Sequence, residues 1–178
     1  MDHMILGLLI LKPRSLYELQ QCMEAGLHLM YSSSPGSIQA ALKKLLNAGF
    51  IEFQEETQGR RKKKVYSITV SGREDFRIWV SSPMKTGSAR DPELGKLYFM
   101  GLSDKESRIQ NLREGIESLR KPYAVLSAIV SQGETMQVPP EAEEILHYQL
   151  ASARFGRDFI RFQIDWYESF LKEEVQRK

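Results

Sequence analysis

Five cations stand in a row at Arg60, Arg61, Lys62, Lys63 and Lys64 of this 178-residue chain. Adjacent positive side chains repel one another, so such a run is either a solvated surface or a partner for a polyanion, whose phosphates it neutralises with release of counterions. A second polar group lies upstream. Ser34 precedes Pro35, Gly36 and Ser37; serine caps free helical N–H groups, proline suits the first helical position, and the resulting terminus can cradle an anion. Along the helix that follows, Gln39 has the chemistry to pair bidentately with adenine, and Lys43 and Lys44 to reach guanine or phosphate. The short side chains of Ser37 and Ala40 let such a helix approach base edges closely.

Other chemistries find little footing. The one cysteine, Cys22, rules out an internal disulfide and a cysteine zinc site, and reads as a small buried hydrophobe. His3, His28 and His147 share no short spacing, so no metal is expected. There is no phosphate-loop lysine pattern and no dinucleotide glycine fingerprint, and no nucleophile motif flanks a serine. Glu141, Glu143 and Glu144 read as charge complementing a helix N-terminus rather than as an acid–base pair. No catalytic residue and no cofactor is expected, and the chain reads as a non-enzyme.

Composition agrees. With 42% hydrophobic and 27% charged residues, the chain can bury a real core. No apolar stretch is long enough to cross a bilayer, and the run Met4 to Leu11 lacks a basic leader. A soluble, cytoplasmic protein with no membrane partner is expected. Residues 1–80 carry 11 Lys/Arg against 8 Asp/Glu, and the remainder 14 against 15, so the positive excess sits in the first half.

The elements that must hold the polar groups follow from spacing. The run from Met4 to Leu11 fits a buried helix, closed by Pro13. Ser15 with Glu18 forms a capping-box pattern, and Leu16, Leu19 and Met23 continue at helical spacing to about residue 25, near Gly26. A third helix starts at Ser34-Pro35, carries Ile38, Ala41, Leu42, Leu45 and Leu46 on one apolar face, and ends at Gly49. Residues 50–55 and 65–70 read as paired strands, with the cationic run beside the turn between them. A helix through Phe76 and Trp79 follows. Residues 81–92, with two prolines and Gly87, read as a linker.

Beyond the linker a helix covers Leu94 to Leu102, and a second capping box begins at Ser103. Ile109, Leu112, Ile116, Leu119, Tyr123, Leu126 and Val130 then form a seam of alternating three- and four-residue spacing, with a kink or break expected at Pro122. Residues 131–140 read as a loop. The last helix carries two stripes. Ile145, Tyr148, Ser152, Phe155, Phe159, Phe162 and Trp166 form one; Leu146, Leu150, Ile160, Ile164, Tyr167 and Leu171 form the other. One helix partner cannot cover both, so the second stripe calls for another helix of the same chain or a second chain. The aromatic residues read first as packed core, and alternatively as the lining of an apolar effector pocket at a dimer interface.

Three helices and a hairpin in this order give a winged helix-turn-helix, in which one helix enters the major groove and the hairpin is the wing. The expected fold is mainly α with a small β-hairpin wing, followed by a coiled-coil-like helical dimerisation domain. Its parts are a DNA-binding domain at 1–80, a linker at 81–92 and a dimerisation domain at 93–178.

The residues also resemble a known family. Ile5-Leu6-Gly7-Leu8-Leu9 followed by Ser15-Leu16-Tyr17-Glu18-Leu19 resembles the opening of PadR-like transcriptional regulators. So does Ser34-Pro35-Gly36-Ser37-Ile38 running through Leu42-Lys43-Lys44-Leu45 to Asn47-Ala48-Gly49-Phe50-Ile51. The stretch Lys62 to Arg73 is similar to the family's wing, and Arg90 to Phe99 to the entry into the helical domain of its longer branch. The resemblance implies a homodimeric DNA-binding regulator, often a repressor released by a small molecule. In one place the chain departs from the pattern: the family usually has tyrosine at the position of Gln39, which can hydrogen-bond but offers no ring.

The expected partners are therefore double-stranded DNA with a pseudo-palindromic operator, a second copy of the chain, and a small apolar effector. DNA contacts are expected from Ser34, Ser37, Gln39, Lys43, Lys44 and the run Arg60, Arg61, Lys62, Lys63 and Lys64. Dimer contacts are expected from Ile109, Leu112, Ile116, Tyr148, Phe155, Phe159, Phe162 and Trp166. The rival reading is a winged-helix interaction module that binds a different chain through its C-terminal helices.

Overall fold

The computed structural model describes residues 1–24, 34–58, 61–84 and 92–177. The chain divides into two compact units, Met1–Thr86 and Gly87–Lys178.

The first unit opens with α1 (Asp2–Leu11), apolar nearly all round and accordingly buried at Ile5, Leu6 and Leu9. Pro13 stops it. Directly after it the chain forms a short strand, β1 (Arg14–Ser15), too brief to leave a periodic signal and absent from the sequence reading. Ser15 then starts α2 (Leu16–Glu24). Its backbone N–H and hydroxyl both donate to Glu18 Oε2, at 2.7 and 2.6 Å, and its Oγ accepts from the Glu18 N–H at 3.3 Å. The expected capping box is therefore formed. Gly26, expected near the end of this helix, lies outside the described residues.

Helix α3 (Pro35–Asn47) begins at a reciprocal cap. Ser34 Oγ accepts from the Ser37 N–H at 3.2 Å, and Ser37 Oγ accepts from the Ser34 N–H at 2.9 Å. Gly49 ends the connection with φ of +69°, a left-handed conformation that glycine adopts without a Cβ clash. Strands β2 (Ile51–Gln58) and β3 (Arg61–Ile68) follow, then α4 (Val70–Val80). The sheet is antiparallel in the order β1-β3-β2.

Two expectations need correction here. The strands extend further toward the hairpin tip than residues 50–55 and 65–70, because continuous cross-strand pairing carries polar residues that have no strand propensity of their own. Val70 is helical rather than the end of a strand: Thr69 Oγ1 accepts from the Gly72 N–H at 3.2 Å and caps α4. Gly72 is the residue that lets α4 approach so closely, since a Cβ there would collide with the Phe50 carbonyl.

The core of this unit joins α1, α2, α3 and the sheet through Ile5, Leu6, Leu9, Leu19, Met23, Ile38, Leu42, Leu45, Ile51 and Ile68. Full burial contributes about 1.5–3 kcal/mol for each large apolar side chain. α4 packs on α1: the His3 and Trp79 rings stack at 4.7 Å and 4°, and His3 Nε2 lies 3.1 Å from Asp75 Oδ2.

The second unit contains α5 (Pro92–Phe99), a 3₁₀ turn (Met100–Leu102), α6 (Lys105–Glu134) and α7 (Pro140–Gln176). The cap of α6 is Asp104, whose Oδ1 accepts from the Ser107 N–H at 2.8 Å, and not Ser103. The helix continues through Pro122 without a break, and past residue 131. An isolated helix would lose a hydrogen bond and clash at a proline; here α6 packs along α7 over its length, and tertiary packing is the larger contribution. Leu112, Ile116, Leu126 and Val130 of α6 are buried, with Leu150, Ala153, Ile160 and Ile164 of α7. The second stripe of α7 is thus covered by a helix of the same chain. The first stripe is bare: Ile145, Tyr148, Phe155, Phe159, Phe162 and Trp166 are all exposed, Phe155 to 75%.

Candidate nucleic-acid interface

The capping and burial of α3 fix which of its faces is free. Ile38, Ala41, Leu42 and Leu45 point into the core, and the 3.6-residue repeat then turns Gln39, Ala40, Lys43 and Lys44 outward. All four are exposed. Ser34 is exposed and Ser37 half-buried at the N-terminus, each already engaged in the cap. Ser37 Oγ also donates to the Ser34 carbonyl at 2.8 Å. An anion there would meet backbone N–H groups rather than free hydroxyls.

The two lysines differ. Lys44 Nζ donates to Asp2 Oδ2 at 2.6 Å across to α1, while 75% of its side chain stays exposed. The Asp2 hydrogen bond and charge raise its pKa. The bond holds the ammonium at the edge of α3 nearest the start of α1. Lys43 carries no such contact among the described interactions, and its side chain is exposed.

The wing is ordered differently from the sequence reading. Arg61 to Lys64 lie within β3, and not between the strands beside the turn. Cα register sets Lys64 opposite Glu55, Lys63 opposite Glu56, Lys62 opposite Thr57 and Arg61 opposite Gln58. Lys63 Nζ is 3.6 Å from Glu56 Oε2, and Lys64 Nζ sits 4.1 Å over the Phe53 ring, a cation–π contact. Of the five cations named from the sequence, Arg60 lies outside the described residues, and Arg61 and Lys62 are described by backbone alone.

Sequence reasoning missed the groove between α2 and β3. It is lined by Ser15, Tyr17, Glu18, Gln20, Gln21, Lys63, Lys64 and Tyr66. Gln21 Nε2 donates to Tyr17 Oη at 3.0 Å on the exposed face of α2. The carboxyl of Glu18 is held below its ordinary value, first by the Ser15 hydroxyl and then by the Ser15 N–H, with a smaller contribution from Lys63. The signal was present: Tyr17, Gln20 and Gln21 alternate with the buried Leu19 and Met23 on α2, a polar face beside an apolar one.

In the second unit the residues expected at a dimer interface divide into two groups. Leu112 and Ile116 are buried within their own chain, and Ile109 is half-buried. As placed, Leu112 and Ile116 serve the helical hairpin and offer no surface to a second chain. Tyr148, Phe155, Phe159, Phe162 and Trp166 remain exposed, and Phe155 and Phe159 stack at 6.4 Å. These aromatics are therefore not the packed core of a single chain, which was the first reading of them. Among the described residues no helix is long and apolar enough to cross a membrane, and no group of three or more His, Cys, Asp or Glu side chains could hold a metal ion.

The comparisons with known proteins follow the same division. A negative transcriptional regulator, PadR, of Bacillus subtilis strain 168 is 26% identical over 179 residues, covering 96% of this chain and 95% of the relative. The crystal structure of Bacillus subtilis PadR in complex with operator DNA superposes with a TM-score of 0.79 at 23% identity, covering 97% of this chain and 98% of that one. The structure of Bacillus subtilis PadR in complex with p-coumaric acid gives 0.74 at 22%, covering 98% of both chains. At those identities the two structures establish the fold. Residues 89–173, the helical unit, match the model described as virulence activator alpha C-term. Residues 5–78, which hold α3 and the wing, match the model of the transcriptional regulator PadR-like family, so the chain carries a PadR-like domain ahead of its helical unit.

Proposed function

We propose that this chain is a sequence-specific DNA-binding repressor that acts as a homodimer and leaves its operator when a small apolar molecule binds. The observation that carries the reading is the exposed face of α3, where Gln39, Ala40, Lys43 and Lys44 stand clear of the core beside a hairpin with one cationic strand. Such a helix seats in a major groove, and the hairpin lies along the backbone. Residues 1–80 form the DNA-binding part and 93–178 the dimerisation part. Ser37, Gln39 and Lys44 contact bases or phosphates, Ser34 and Lys43 phosphates, and Arg60 to Lys64 the backbone. Two copies read half-sites about one helical turn apart.

The bare aromatic stripe of α7 supports the homodimer. Exposed large side chains at three- and four-residue spacing make an unfavourable water interface that a second copy removes. The relatives support the remainder: one is named a negative regulator, one structure holds operator DNA and another p-coumaric acid. A cytoplasmic location follows from this role, and no catalytic step is assigned to any residue.

Selection of bound duplexes from a random DNA pool, followed by fluorescence anisotropy, tests the reading. A recurrent pseudo-palindrome that resists competitor DNA is the expected result. Weak, salt-labile binding without sequence preference would instead favour the interaction module, for which the same aromatic stripe on α7 is the supporting observation.

A further inference from the structure

The wing carries its own counter-charge. Glu55 and Glu56 of β2 stand directly opposite Lys64 and Lys63 of β3. Successive strand residues point to opposite faces, so each face of the ribbon holds one acid beside one lysine. Lys63 is within 3.6 Å of Glu56 and lines the groove that also holds Glu18. Lys64 rests over Phe53, which the alternation places on the same face as Glu55. An exposed ion pair such as Lys63–Glu56 adds little to fold stability, so stability alone gives no strong reason for it. Its effect on a DNA surface is larger. Binding without sequence preference is almost wholly electrostatic; Lys63 has to leave the Glu56 carboxylate, and Lys64 its place over Phe53 with Glu55 opposite, before either meets a phosphate.

We infer that Glu55 and Glu56 are specificity-determining residues of the DNA interface, restraining the wing lysines so that they engage phosphates only on a duplex that α3 also fits. This rests on the DNA-binding reading above. A loosely associated duplex presents no phosphate at a fixed place, and the contacts within the wing persist. A duplex seated on α3 holds phosphates beside the wing, and the exchange becomes favourable. Removal of the acids therefore helps non-cognate DNA more than cognate DNA.

The test compares the full chain with Glu55→Gln, Glu56→Gln and the double variant, after circular dichroism has verified their fold. Glu52→Gln is the control: it removes one charge from the same strand, but Glu52 stands opposite Ser67 and not a lysine. Affinities are measured over a salt series for the duplex recovered from the random pool and for a scrambled duplex of equal composition. The expected result for the double variant is a gain of about tenfold on scrambled DNA, a smaller gain on the selected duplex, and a salt slope on scrambled DNA steeper by about 1–2. Glu52→Gln should change the ratio of the two affinities little. The inference is overturned if the ratio is unchanged in the double variant, or if Glu52→Gln lowers it as much as Glu56→Gln does. If the unaltered chain binds neither duplex, the DNA-binding reading itself fails, a result distinct from the other two.

Discussion

Glu174, near the end of α7, accepts a hydrogen bond from Arg108, near the start of α6, at 2.6 Å, and only 5% of the Glu174 side chain is exposed. Arg108 also donates to the Ser103 carbonyl. The pair pins together the free ends of a hairpin whose other end is the short connection between α6 and α7. Removal of one partner leaves the other charge largely buried and uncompensated. Glu174→Ala is expected to cost about 3 kcal/mol, read by urea unfolding of the helical unit. The double change Glu174→Leu with Arg108→Met should recover most of that loss, since apolar replacement removes the desolvation cost along with the pair. A double variant no more stable than Glu174→Ala would contradict this account.

The cap of α2 gives a pH dependence with a definite sign. Hydrogen bonds from Ser15 hold the Glu18 carboxyl below 4.5 in the folded chain, so the unfolded chain binds that proton more readily. The stabilising contribution is complete above about 4.5 and is lost as pH falls through the lowered folded value. Glu18→Gln keeps an acceptor at the capping position without the titration. Thermal melts from pH 6 to pH 3 should show the unaltered chain losing more stability than Glu18→Gln over that range; parallel curves would contradict the assignment.

The bare stripe of α7 predicts the oligomeric state. Phe155 and Phe162 are exposed, so charging them removes little packing within the chain. Phe155→Asp with Phe162→Asp should yield a monomer by sedimentation equilibrium, with helical content unchanged by circular dichroism. If the unaltered chain already sediments as a monomer, the stripe does not serve a homodimer.

Contacts from α3 should separate by kind. Lys43 is exposed and is assigned to phosphate. Lys43→Ala is expected to weaken binding to every duplex alike and to lower the salt slope by about 1. Gln39→Ala should cost about 1–3 kcal/mol on the selected duplex and little on a scrambled one. Anisotropy titrations on the two duplexes distinguish these patterns; a uniform loss from Gln39→Ala would assign it to the backbone instead.

Much of the first unit is legible along the chain because its signals are local. The serine caps at Ser15 and Ser34, Pro35 at the first helical position and Gly49 in the left-handed region act within a few residues of themselves. The spacing of Ile38, Ala41, Leu42 and Leu45 likewise sets the exposed face of α3 without reference to anything distant. The wing is different. Five cations in a row look like an exposed flank, and which of them faces an acid depends on the register of a strand several residues earlier in the chain. A slip of one residue would have placed different partners opposite Lys63 and Lys64.

The helical unit makes the same division. Residue order on α7 determined that it has two apolar stripes, since 3.6-residue geometry depends only on the chain itself. Which stripe α6 covers is a question of how the two helices are rotated against each other, and no local signal encodes that rotation. Tertiary packing chose Leu150, Ile160 and Ile164 for the interior, left the aromatic stripe to water, and carried α6 straight past Pro122. Local hydrogen bonding and periodicity thus determined the elements and their polar faces. Only the contact between distant segments decided which charges are compensated and which apolar surface still lacks a partner.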